Sequence, residues 1–323
     1  MTAELAKFNS DGFFIAKNLL DRQRVQKVVH SLGKTFADQL RGQSGSAESD
    51  VFSAMQTLHR CDLGRYKKVA AALWRKLDVY QLTHDPRISG FLRDRFGWRD
   101  IFVAGGQVVH IMAHELKIPD GYFGLVTHQD FPSVQGSLDG VVVWIPLVDV
   151  DRDNFPLEVI PGSHKRGLLP MTGCGSASWE VAPDQYREAD FIPAEVEAGD
   201  VIFMSMFTVH RSSTSGTDGR CRLAVSTRFD NADEPTFVDR CYPSAYERSV
   251  HRTQYFPDFP SIEQVAAVFQ SAEKTELDCG TSTLVEASSN IVRQYKQTVN
   301  SEYAKSLDHP FLIQPCKIRS RID

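Results

Sequence analysis

In the stretch THQDFPSVQGSLDGVVVW (127–144), His128 and Asp130 stand two positions apart, just ahead of the β-branched run Val141-Val142-Val143. On an extended strand, side chains two apart point to the same face, so an imidazole and a carboxylate would project together. That is two-thirds of a 2-His-1-carboxylate metal site. The best-placed third ligand is the distant His210, at the end of the run VIFMSMFTVH that follows the turn at 197–200. Such a triad leaves one face of an octahedral ion open, an arrangement suited to non-haem Fe(II) oxygen chemistry. The HxD triple is a weak signal by itself in a chain with ten histidines. Taken singly, each of these histidines is more often a turn or strand-end residue bonded to backbone than a metal ligand.

The elements that must position these residues follow from periodicity and punctuation. Residues 8–20, FNSDGFFIAKNLL, read as a Ser-Asp-Gly turn and then a strand through Phe13, Phe14 and Ile15. Asp21 is a candidate N-cap for a helix whose apolar positions are Val25, Val28, Val29, Leu32 and Phe36. A polar loop covers 42–49. Helices are expected over 64–80, with Val69, Leu73, Leu77 and Tyr80 on one face, and over 87–96, closed by Gly97. From about residue 101 the period becomes that of strands: 101–114, 140–150, 157–160, 200–209 and 222–229. Many strands separated by turn residues indicate a sandwich or barrel rather than alternating β/α units. Residues 165–193, rich in Gly, Ser and Pro, interrupt the strands as a long insert and are expected to act as a lid. Further helices are expected over 262–273 and 283–305. The chain is read as one domain over 1–323, with an N-terminal helical wrap (1–100), a β core (101–230) and a C-terminal helical extension (231–323).

Composition narrows the class. The chain has 323 residues, 42% hydrophobic and 24% charged, as in an ordinary globular protein large enough for a full core. A net charge of −5 gives no electrostatic reason to expect nucleic acid or an anionic membrane as partner. No apolar run is long enough to span a bilayer, and the N-terminus has no apolar stretch of signal-peptide length. The six cysteines are scattered without a CxxC pair, which argues against a zinc ribbon or a disulfide scaffold and suits a reducing cytoplasm.

With their surroundings, the candidate ligands resemble the phytanoyl-CoA dioxygenase family of Fe(II)/2-oxoglutarate oxygenases. The resemblance runs through FNSDGFFIAKNLL (8–20), THQD (127–130), Trp144, VIPGSHKRG (159–167), EAGDVIFMSMFTVHRSS (197–213) and CRLAVSTRF (221–229). It implies a double-stranded β-helix, a jelly-roll or cupin-like core that is mainly β with flanking helices. It also implies His128, Asp130 and His210 as iron ligands, Arg222 as partner of the distal carboxylate of 2-oxoglutarate, and Ser212 as a helper in binding that carboxylate. Trp144 and Met112 match positions lining the co-substrate. The implied activity is an O2-dependent hydroxylation or other oxidation of a small molecule, with release of succinate and CO2. Family members that halogenate lack the carboxylate ligand; Asp130 sets this chain apart from them. One local departure is Asp153-Asn154-Phe155-Pro156, where the family has an Asn-Gly turn.

The chemistry of Arg222 supports its assignment independently. A dicarboxylate needs a fixed cation, and Arg offers a bidentate fork that Lys cannot. Arg222 lies in the apolar strand CRLAVS, where an unpaired charge would be costly. Arg220 and Arg228 are the other options, and both are read as surface arginines at strand ends. His110 and His114, four apart, have neighbours that favour a strand, so core or surface positions are expected rather than a metal pair. His164, in PGSHK, is read as structural. The arginines and tyrosines of 239–256 are candidates for lining the substrate pocket. Two further readings remain open on sequence: a non-catalytic jelly-roll binding or sensor protein, and a zinc hydrolase, for which no general base stands out.

Overall fold

The computed structural model describes residues 2–40, 50–119, 123–172, 180–235 and 263. The chain divides into two units, Met1–Lys274 and Thr275–Asp323, and every described residue belongs to the first. The helices expected over 262–273 and 283–305, and the segment 239–256, lie outside the described residues, apart from Glu263.

The N-terminal third is helical. Helix α1 (Ala3–Asp11) is capped by Thr2 and stops at Gly12, whose φ of 82° suits only a residue without a Cβ. The Ser-Asp-Gly signal is therefore the end of a helix too short to show a clear apolar period. Strand β1 (Phe13–Ala16) follows. Helix α2 (Arg22–Asp38) starts at Asp21 as expected and buries Val25, Val28, Leu32 and Phe36. The helix expected over 64–80 is instead broken. After α3 (Val51–Cys61), α4 (Leu63–Ala72) runs into a 3-10 turn, and Lys76 is extended before α5 (Leu77–Thr83) begins. The break resets the helical phase, so Leu77 and Tyr80 face solvent and Val79 and Leu82 take the core positions. Helix α6 (Pro86–Phe91) continues into a π turn that ends at Gly97.

Two antiparallel sheets carry the rest. In chain order the strands are β2 (Ile101–Met112), β3 (Val141–Pro146), β4 (Leu157–Val159), β5 (Ile192–Ala194), β6 (Val201–Ser205), β7 (His210–Ser212) and β8 (Arg222–Asn231). A one-turn helix, α7 (Phe131–Val134), lies between β2 and β3. The larger sheet has the order β1-β6-β3-β8-β2 and the smaller β5-β4-β7. Every residue of β3 is buried, because this central strand is covered on both faces, and its unbroken apolar run reflects that. Each such Val or Ile contributes about 1.5–3 kcal/mol by leaving water. Outside the larger sheet, Phe91 of α6 stacks on Phe203 of β6 at 4.5 Å.

Two local features position the site. The chain expected to run as one strand over 200–209 leaves the larger sheet at Ser205 and, after a turn, enters the smaller sheet at His210. That turn rests on the end of α1: the Gly12 carbonyl accepts from Ser205 N (2.8 Å) and Thr208 Oγ1 (2.7 Å). Phe155, in the departure from the Asn-Gly pattern, keeps a positive φ of 50° and is fully buried against Gly216. Among the described residues, no helix is long and apolar enough to cross a membrane.

Candidate metal centre

His128, Asp130 and His210 come together, each buried, with their ligand atoms within 4.8 Å of one another. Backbone pairing accounts for the two histidines. His128 and His210 exchange N–H···O bonds of 2.9 and 3.0 Å, which adds the chain at His128 to the open edge of β7. Their rings lie 4.1 Å apart between centroids. Each Nδ1–H donates to the carbonyl two residues back, His128 to Val126 (2.6 Å) and His210 to Thr208 (2.9 Å). Those bonds fix the ring orientations and leave both Nε2 atoms as ligand positions.

Asp130 is not on an extended strand. The ladder ends at His128, and Asp130 has helical backbone (φ −76°, ψ −26°) at the start of α7. Its carboxylate reaches the histidines because the chain turns there, rather than by two-residue alternation. Oδ1 accepts from Arg228 Nη2 at 2.8 Å. Oδ2 is buried, has no hydrogen-bond partner among the described residues, and lies 3.5 Å from His210 Nε2. A buried carboxylate oxygen left facing two imidazole nitrogens is a fitting ligand set for a divalent transition metal.

The electrostatics agree. Burial alone would raise the Asp130 pKa, but Arg228 and then the two histidines hold it well below the usual carboxylate range. Burial, followed by the neighbouring His128, pushes His210 down to about 3. His128 is lowered as well, chiefly by burial. The site therefore presents an ionised carboxylate and two neutral imidazoles, the protonation states that bind metal.

Arg222 is among the largest fully buried side chains. Its Nη1 donates to the Phe155 carbonyl (2.7 Å) and its Nη2 to Ser212 Oγ (3.2 Å), while its guanidinium carbon sits 5.9 Å from the Trp144 ring centroid. Met112 is its register partner on β2. Gly124 (φ 80°) fits between Met112 and Ser212, where a Cβ would come within 2.9 Å of each. Ser212, Trp144, Met112 and Arg222 thus form one group.

Other sequence expectations divide. Arg220 is a partly exposed residue paired with Asp151 (2.8 Å). His164 is structural, its Nε2 3.1 Å from the Asn9 carbonyl, and His114 is exposed beside Asp218. Arg228 is not a surface residue: its side chain is 12% exposed and lines the cavity with the triad, His110, Ser226 and Trp144. Its position was readable, since 222 and 228 differ by an even number and share a strand face. The insert is held at both described flanks. Val181 N donates to Thr127 O (2.9 Å), Leu169 N donates to Gln129 Oε1 (2.9 Å), and the far end forms β5. Its central residues 173–179, including Trp179, lie outside the described residues.

Two antiparallel sheets bring together a buried pair of histidines and one carboxylate, a group that could hold one metal ion. Residues 8–223 match the profile of phytanoyl-CoA dioxygenase (PhyH), and the chain belongs to that family. Membership makes it a 2-oxoglutarate-dependent dioxygenase. Mouse peroxisomal phytanoyl-CoA dioxygenase is 24% identical over 247 residues, covering 72% of this chain and 69% of that protein. Dioxygenase lolE1 of Epichloe uncinata is 28% identical over 127 residues, or 39% and 47%. Against several curated relatives the match spans only about a third to a half of their length. Among solved structures, the epimerase SnoN aligns with a TM-score of 0.51 at 21% identity, covering 77% of this chain and 93% of that one. The non-heme monooxygenase ThoJ aligns with a TM-score of 0.51 at 18% identity, covering 92% and 99%. At these identities the likeness is one of fold.

Proposed function

We propose that this chain is an Fe(II)- and 2-oxoglutarate-dependent oxygenase that hydroxylates, or otherwise oxidises, an unactivated C–H bond of a small-molecule substrate. The observation that carries this reading is the unpartnered Asp130 Oδ2 facing two oriented histidines, with a buried arginine–serine pair nearby. His128, Asp130 and His210 would hold the iron. Bound there, iron with 2-oxoglutarate and O2 supplies the oxidising power, and the keto acid leaves as succinate and CO2. SnoN, which shares the fold, has been solved in complex with Fe3+ and alpha ketoglutarate, and this supports the same co-substrate here.

The chain's own residues bind, orient and exclude water. Arg222 takes the distal carboxylate of 2-oxoglutarate, with Ser212 as second donor and Trp144 and Met112 as walls. The Phe155 carbonyl fixes the guanidinium fork. The cavity beside the triad is lined by Trp144, Ser212 and Arg228 among others. With Asp130 as a ligand, the position that a halide would take is filled, which speaks against halogenation. We assign the two sheets to a double-stranded β-helix formed by one domain: the strands run larger, smaller, smaller, larger, smaller, larger from β3 to β8. The scattered cysteines suit the cytoplasm.

Anaerobic loading with Fe(II) and 2-oxoglutarate, followed by O2, tests the reading by measurement of succinate. Iron-dependent succinate release, increased by the true substrate, is expected. A protein that binds 2-oxoglutarate but releases no succinate would be a sensor instead.

A further inference from the structure

The roles assigned above leave Arg228 unused, although it lies beside the metal ligands. It sits on β8 with its register partner Val142 on β3, on the face that Arg222 also occupies. Two of its five N–H groups have partners among the described residues: Nη2 meets Asp130 Oδ1 at 2.8 Å and Nη1 meets Ser226 Oγ at 3.1 Å. Ser226 Oγ lies in turn 2.9 Å from His110 Nε2. An arginine can only donate, so the serine oxygen accepts from it and its own proton is free to reach His110. Buried Ser226 and His110 therefore hold the fork in place.

Charge balance then gives that fork a task. Without metal, Asp130 and Arg228 neutralise one another. Once Asp130 also lends Oδ2 to a dication, one carboxylate balances both the ion and the guanidinium, and the histidines add no negative charge. An under-compensated positive charge in a water-poor cavity is costly, and an incoming anion relieves it. Guanidinium N–H groups held in a fixed fork match the two oxygens of a carboxylate.

We propose that Arg228 is an anion-binding residue, taking a carboxylate of an incoming ligand beside Asp130, separately from the carboxylate held by Arg222. This rests on the reading that the triad holds a divalent metal. The carboxylate could belong to the metal-side end of the keto acid or to the substrate; the chemistry at Arg228 is the same.

The test uses the full chain loaded with Co(II), whose visible absorption reports ligands entering its coordination shell, and oxalate as probe. Cobalt affinity is measured first, so that every variant is compared at full metal occupancy. Arg228→Met is expected to weaken oxalate binding about tenfold or more, and Arg228→Lys, which keeps the charge but not the fork, by less. Should Arg228→Met fail to fold, Arg228→Lys carries the comparison. A parallel loss of 2-oxoglutarate affinity would assign the carboxylate to the co-substrate; a loss confined to oxalate would assign it to the substrate. Cobalt-loaded variants that bind oxalate as tightly as the wild type overturn the inference alone. A wild-type protein that binds no cobalt overturns the metal centre and the inference together.

Discussion

Replacing Asp130 removes more than a metal ligand, because its Oδ1 also accepts from Arg228. Asp130→Ala is expected to abolish metal retention and also to leave a mostly buried guanidinium without its carboxylate. Breaking one side of such a pair costs on the order of 3 kcal/mol. Metal analysis after loading, together with a urea melt of the apo protein, checks both halves; full metal occupancy in the variant would remove Asp130 from the ligand set. For Arg222→Lys the charge survives and the fork does not, so KM for 2-oxoglutarate should rise with little change in iron affinity. Arg220→Lys serves as comparator, since Arg220 is committed to Asp151. An equal defect in both variants would place the clamp elsewhere. His128, Asp130 and His210 stand out by residue type, but the turn that carries Asp130 to the histidines is not legible, and the role of Arg222 is what the family resemblance implies. Arg228 shares its strand face, yet an arginine near a strand end reads equally well as a surface residue, and only the packing buries it.

At the scale of the element, the turn at Phe155 sets two effects against each other. Its left-handed backbone would suit glycine, and relieving that strain is worth about 1 kcal/mol. Its fully buried ring packs on Gly216, His114 and Phe123, and removing a buried Phe costs about 3–5 kcal/mol. The cavity term is larger, so Phe155→Gly should destabilise by roughly 2–4 kcal/mol in denaturant melts. A neutral or stabilising result would mean that the ring contributes little. Gly216→Ala should also be damaging, because its Cβ would fall onto the Phe155 ring. This turn shows the limit of sequence reading. The departure from Asn-Gly was visible, but nothing local said that a phenylalanine would hold the glycine conformation, since the compensating contacts come from residues 114, 123 and 216. The break between α4 and α5 was hidden in the same way: the apolar spacing through 64–80 reads as one helix, and the change of phase at Lys76 is set by packing.

For the molecule as a whole, buried histidines tie stability to acidity. His210 is pushed down to about 3 from an ordinary 6.5, and His128 and His110 are lowered too, each mainly by burial. The unfolded chain therefore binds protons that the folded chain refuses. The sign follows: stability is fully present above about pH 6.5 and falls as pH drops toward about 3, with Asp130 acting in the same direction at the acid end. Apo-protein Tm measured from pH 8 to 4 should decline below about 6.5, and a flat profile would mean that these imidazoles are solvated. Most strands were legible because β3, β6 and β8 are long apolar runs. The crossing from one sheet to the other between Ser205 and His210 was not, because VIFMSMFTVH stays apolar through it.

The order of strands in the larger sheet also has a consequence in time. Among the described residues, β1 (Phe13–Ala16) finds its only ladder partner in β6 (Val201–Ser205), and β2 (Ile101–Met112) pairs with β8 (Arg222–Asn231). A chain emerging from the ribosome makes both early strands long before either partner exists. Such distant pairings close slowly. Until β8 arrives, β2 has no ladder partner among the described residues, and Phe102, Val103 and Val108, which remain half-exposed even after folding, give it exposed apolar surface. The nascent protein thus passes through an interval in which meeting another copy competes with meeting its own C-terminal half, and a lower concentration of nascent chains favours the latter.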